Sequence, residues 1–110
     1  MKKDDRLHLQ DILDCIQQIQ IYIGDLDWKN FKTDSKTRDA VLRNLEIIGE
    51  AANRLGNNFK EKYSELELYK AIGMRNQLIH GYDKIKFRVI WTTAKKDLPK
   101  LEKQINKILL

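Results

Sequence analysis

Apolar residues recur every third or fourth position along almost the whole chain, and that period constrains the fold more than any other feature. Leu9, Ile12, Cys15/Ile16, Ile19 and Ile23 predict a helix from about Asp5 to Ile23, stopped at Gly24. Val41, Leu45, Ile48, Ala52 and Leu55 predict a second from about Thr37 to Leu55, with Asp34 or Ser35 as N-cap and Gly56 as stop. Leu68, Ala71/Ile72, Arg75 and Leu78/Ile79 predict a third over roughly Glu67 to His80, ended by a left-handed Gly81. Val89/Ile90, Ala94, Leu98, Leu101, Ile105 and Ile108/Leu109 carry a last segment from Lys86 to Leu110. Pro99 lacks a backbone donor and clashes with the preceding turn, so a kink or break is expected near Asp97-Leu98. No Asn-Gly or Asp-Gly hairpin turn and no sustained alternation competes with these helices. The expected fold is all-α: one domain over residues 1–110, an antiparallel bundle of four or five helices.

The connections and glycines add detail. Trp28 and Phe31, between Asp25 and Lys36, read as a packed loop anchor. Asn57 to Ser64 reads as a loop with a short turn around Phe59 to Tyr63. Gly49 sits inside the second helix, where glycine costs about 1 kcal/mol relative to alanine. Gly49, Ala51 and Ala52 are all small, so the expected compensation is close approach of another helix. Gly73 carries the same expectation for the third helix. Glu46 and Glu50, one turn apart, read as surface carboxylates, and His8 as an exposed histidine.

Composition excludes several classes of function. No apolar run approaches the roughly 20 residues that span a bilayer, so no membrane role is expected. Met1 to Arg6 are charged and no signal peptide is visible, which places the protein in the cytoplasm. Cys15 is the only cysteine, so there is no intrachain disulfide and no cysteine-based zinc site. The net charge of +5 is uneven: Lys84 to Leu110 hold eight Lys/Arg against two Asp/Glu. Such a segment can neutralise nucleic-acid phosphates, or serve only as a solvated helix face.

One stretch concentrates reactive side chains: Gly73-Met74-Arg75-Asn76-Gln77-Leu78-Ile79-His80-Gly81-Tyr82. Arg75 can hold a phosphate in fork geometry, and His80 can move a proton near neutral pH. A straight helix sets the two about 140° apart around its axis. A departure from helical geometry at Gly81, or bending of the long arginine, would relieve this. RNA asks least of such a pair, because its 2′-hydroxyl is an internal nucleophile beside the scissile phosphate. No metal and no other cofactor is required, and no metal-ligand pattern is present. One histidine cannot easily act as base and acid together, whereas a homodimer would bring a second His80 and Arg75 to a composite site. Against this stand plainer readings: a capping or surface histidine, a surface arginine and a packed tyrosine.

Three blocks, AVLRNLEIIGEAANRL (Ala40 to Leu55), AIGMRNQLIHGYDKI (Ala71 to Ile85) and IWTTAKKDLPKLEKQI (Ile90 to Ile105), together resemble the HepT-like family of the HEPN superfamily. The resemblance runs from about Leu9 to Leu109. It implies the HEPN fold, a homodimer, and a toxin ribonuclease of a toxin–antitoxin pair. The family's Arg-x4-His-x-Tyr motif falls on Arg75, His80 and Tyr82, with Asn76 as the supporting polar residue after the arginine. It further implies a partner, a MntA-like minimal nucleotidyltransferase antitoxin, which transfers AMP to the motif tyrosine, here Tyr82. Two other roles stay open on the sequence: a non-catalytic HEPN subunit that helps a nucleotidyltransferase bind its nucleotide or substrate, and a helical dimerisation module.

Overall fold

The computed structural model describes residues 1–81 and 86–110. Seven α-helical segments follow one another: α1 (Lys3–Ile23), α2 (Trp28–Phe31), α3 (Ser35–Arg54), α4 (Asn57–Lys62), α5 (Leu68–Gly81), α6 (Phe87–Thr92) and α7 (Leu98–Leu109). A 3-10 turn, Ser64–Leu66, precedes α5. A π-helical turn, Thr93–Asp97, joins α6 to α7. Among the described residues there is no strand, and no helix is long and apolar enough to cross a membrane.

α3 is the centre of the bundle, packed on α1 along one side and on α5 along the other. Leu9, Ile12, Ile16 and Ile19 of α1 meet Val41, Leu45, Ile48 and Ala52 of α3 in one core, and every one of these residues is buried. Ile90, Ala94, Leu98, Leu101 and Ile105 close it from the α6–α7 side. The apolar period read from the sequence is therefore the core period.

The helix ends follow local chemistry. Gly24 stops α1 at φ 49°, and its N–H donates to the Gln20 carbonyl. Asp34 caps α3, its carboxylate accepting from the Thr37 N–H at 3.0 Å and from Thr37 Oγ1 at 2.9 Å. Those two hydrogen bonds hold the Asp34 carboxyl below its ordinary pKa. Trp28 and Phe31 do anchor their connection: Phe31 is fully buried, with its ring centroid 5.0 Å from that of Trp91. Near Pro99 the helix deviates rather than breaks: the backbone stays right-handed helical from α6 into α7, and the wider π turn Thr93–Asp97 just before the proline accommodates its missing N–H.

Other expectations are corrected. α3 does stop just ahead of Gly56, at Arg54 with Leu55 as C-cap, but not through a left-handed glycine. The Gly56 backbone is extended at φ −66°, it leads into α4, and its N–H donates to Asp5 Oδ1 at 3.0 Å. Asp5 is thus a buried carboxylate that ties the start of α1 to the end of α3 and so makes the two antiparallel. The connection read as a loop from Asn57 to Ser64 is mostly the helix α4, because Phe59 packs into the core and stacks near Tyr63 at 4.8 Å. His8 is half-buried, not exposed. Glu46 and Glu50 are half-buried as well, each paired with a neighbour on its own helix, Arg43 at 3.8 Å and Arg54 at 2.7 Å.

α5 leans on α3 with little support from elsewhere. Towards α7 it borders an open cleft of about 260 Å³, floored by Ile48, Leu66, Ala71, Met74, Leu98 and Leu101. The position of α5, and of the motif it carries, is therefore set mainly by its contact with α3.

Candidate functional site

That contact is closest at Gly49. A Cβ placed there would overlap Arg75 Cβ, and it would lie 2.7 Å from the Ala71 carbonyl oxygen and 3.0 Å from Arg75 Cγ. The close approach expected from the interior glycine is real, and the residue seated in the notch is the motif arginine. The sequence showed that something must pack on Gly49 but not what.

Arg75 is half-buried in this seat. Its Nε lies buried with no hydrogen-bond partner, while Nη1 donates to Asn76 Oδ1 at 3.3 Å. A buried N–H left unpaired costs about 1–3 kcal/mol, so the guanidinium is held with donor capacity unspent. An anionic oxygen is the natural complement, since charge-assisted bonds to a guanidinium are stronger than neutral ones.

The bond to Asn76 also addresses the angular problem. On a regular helix Asn76 lies about 100° from Arg75, and His80 lies only about 40° beyond Asn76. Reaching for Asn76 thus turns the guanidinium out of the α3 interface and towards the face that carries His80. Of the two expected ways round the separation, the arginine's bond to Asn76 leans in the direction of a bend. Gly81 is inside α5, as its last residue, and the helix does not open at His80. Asn76 and His80 are both exposed, and no hydrogen bond joins His80 to Arg75 or Asn76. Tyr82, the remaining motif residue, lies outside the described residues.

Gly73 departs from expectation. A Cβ there would meet nothing within 4 Å. Among the described residues no helix approaches it, so the close packing read from its position is absent there. It lies on the outer side of α5, with Tyr69, Asn76 and His80 at helical spacing along one exposed stripe.

Comparison with known proteins bears on the whole chain. The family model for ribonuclease HepT-like proteins matches residues 12–108. A probable ribonuclease HepT of Thermococcus cleftensis is 37% identical over 108 residues, 98% of each chain. A putative RNase of Methanocaldococcus jannaschii is 36% identical over 104 residues, 94% of this chain and 95% of that one. One chain of a crystal structure of a toxin–antitoxin with AMP-PNP superposes with a TM-score of 0.75 over 98% of each chain at 21% identity, and so shares this all-α fold. With the bundle, the motif helix and these relatives in agreement, the chain belongs to the ribonuclease HepT-like family.

Proposed function

We propose that this protein is the toxin of a toxin–antitoxin pair and cleaves RNA without a metal ion, through Arg75 and His80. The observation that carries the reading is the Arg75 guanidinium, seated on Gly49, turned over Asn76 towards the His80 face and left with a buried unpaired Nε. The relatives named as ribonucleases support the substrate class. In the reaction the 2′-oxygen attacks the adjacent phosphorus and loses its proton. The bond to the 5′-oxygen breaks, that oxygen takes a proton, and a 2′,3′-cyclic phosphate remains. Arg75 holds the phosphate and its developing charge, His80 transfers a proton, and Asn76 keeps the guanidinium aimed.

The test is incubation of RNA with the purified protein in EDTA, beside a His80→Ala variant. Proton transfer by a placed side chain contributes about 10²–10⁴-fold, and a loss of that size is expected. His80 is exposed, so unfolding should not change. Equal cleavage by both proteins would remove His80 from the reaction. Absence of cleavage by either would favour a non-catalytic HEPN subunit that assists a nucleotidyltransferase.

A homodimer supplies the second proton-transfer group. Its support is the uncovered stripe on α5: Gly73 faces open space, and Tyr69 beside it is 68% exposed. An interior glycine on a bare helix face is compensated if a partner helix approaches there. Gly73→Leu should therefore convert a dimer to a monomer in sedimentation experiments and leave the helical content intact. An unchanged dimer would place the interface elsewhere.

Tyr82 is the proposed point of control, modified with AMP by a MntA-like nucleotidyltransferase antitoxin. An AMP group two residues from His80 would repel an RNA phosphate and fill the space it needs. The related toxin–antitoxin structure with AMP-PNP is in keeping with an adenine nucleotide acting on such pairs. Mass spectrometry after incubation with ATP and the partner should find AMP on Tyr82; neutralised protein with an unmodified Tyr82 would reject this control.

A further inference from the structure

The surface around the start of α6 holds an arrangement that the motif does not use. Phe87, the first residue of α6, is 41% exposed, and the Arg38 guanidinium carbon lies 3.9 Å from its ring centroid. Arg38 Nη1 also donates to the Lys32 carbonyl at 2.7 Å. The ring and the carbonyl together fix the plane of this guanidinium. One residue on, Arg88 sits 4.8 Å over the Trp28 ring, and Trp28 packs in turn near Phe31 and Trp91.

The charge around this platform has one sign to spare. Lys32, Lys36, Lys86 and Arg88 are exposed. Among the described residues none of them, nor Arg38, forms an ion pair. Of the acids in the same connection, Asp27 and Asp34 are N-caps of α2 and α3, and Asp34 also attracts Arg38 and Lys36, which leaves Lys86 and Arg88 as the cations furthest from a compensating acid in that connection.

Position relates the platform to the motif. Arg75 meets α3 at Gly49, and Phe87 meets it at Arg38. The chain therefore runs down α3 as it proceeds from α5 to α6, antiparallel to it. At 1.5 Å per residue, Arg38 lies about 16 Å from Gly49 along α3, and His80 covers about 7.5 Å of that distance. The remaining gap of about 9 Å equals two or three nucleotides of a stacked strand at about 3.4 Å each.

A ring backed by a fixed guanidinium and flanked by exposed cations is what sequence-tolerant single-strand binding uses: bases stack on the ring and cations meet the phosphates. We propose that Phe87, with Arg38 behind it, is a base-stacking platform for single-stranded RNA, two or three nucleotides along the strand from His80. Lys86 and Arg88 contact the phosphates of the same tract. The proposal rests on the RNA reading of Arg75 and His80, and the following experiment separates the two.

Affinity is measured with a fluorescent single-stranded RNA whose 2′-hydroxyls are methylated, so that it cannot be cleaved, while cleavage of unmodified RNA is measured in parallel. Phe87→Ala should weaken binding about tenfold and raise KM for RNA by a like factor. Phe87→Trp should restore both, which a merely structural residue would not do. Lys86→Ala together with Arg88→Ala should reduce the slope of log affinity against log salt by about 1.4. Thermal unfolding of each variant checks the fold. If His80-dependent cleavage is present but Phe87→Ala binds as the wild type does, the platform is wrong and the catalytic reading stands. If no RNA is cleaved but binding still depends on Phe87, the catalytic reading is wrong and the platform stands. Loss of binding to the antitoxin alone, with RNA affinity unchanged, would assign the surface to a protein partner and overturn the proposal.

Discussion

Arg75→Met is expected to melt at a higher temperature than the wild-type protein while cleaving RNA at least a hundredfold more slowly. Methionine retains the Cβ and Cγ that pack against Gly49, and it removes the buried Nε that has no partner. Relief of an unsatisfied buried donor is worth about 1–3 kcal/mol. For a domain of this size each kcal/mol moves the melting temperature by about 4–8 °C. The hydrogen bond lost from Nη1 to Asn76 is exposed and offsets little of this. Removing a preorganised donor to the developing phosphorane charge costs about 10²–10³ in rate. Thermal melts followed by circular dichroism, with single-turnover cleavage, measure both effects. A lower melting temperature would mean that the Nε has a partner in solution. A rate within a few-fold of wild type would remove Arg75 from the chemistry.

Gly49→Val is expected to lose activity as well, with the opposite change in stability. The atoms that a side chain at residue 49 would meet are Arg75 Cβ and the Ala71 carbonyl oxygen. Neither is the end of a flexible side chain, so α5 itself must move. Overpacking of this kind costs about 1–3 kcal/mol. Alanine at the same position recovers about 1 kcal/mol through helix propensity, so its net effect is smaller. The open cleft beside α5 lets the helix shift without global unfolding. The valine variant should therefore stay helical, melt several degrees lower and carry Arg75 out of register with His80. The two variants cross: one raises stability, the other lowers it, and both suppress cleavage. Were Gly49→Val to cleave RNA at the wild-type rate, the seat on α3 would have no part in placing Arg75.

Much of this protein is legible in its residues. The apolar period gave each long helix and its buried face, because helical spacing and burial report the same physical fact. Gly24 and Asp34 gave boundaries correctly and Pro99 a departure from regular helix, since each acts through its own backbone or a hydrogen bond three residues away. Arg75, His80 and Tyr82 stood out by residue type and spacing, and Asn76 only through the family resemblance. Signals that depend on distant partners failed or stayed incomplete. Gly56 was read as a helix stop, and α3 does end there, but the tie from its N–H to Asp5 across the bundle had no signal in the sequence. Phe87 and Arg38 drew no notice, as nothing local links α6 to the first turn of α3.

The two interior glycines mark the limit most clearly. In sequence Gly49 and Gly73 are alike: each interrupts an apolar helix, and each predicts a close neighbour. The sequence by itself determined the helices, the motif and the need for a reason at both positions. Only the tertiary structure decided that Gly49 receives Arg75 and that Gly73 looks outward. The same placement joined the guanidinium to Asn76 and left its Nε without a partner among the described residues. The physical reason is that helix propensity and periodicity are local, whereas the occupant of a helix face is fixed by packing between segments far apart in the chain.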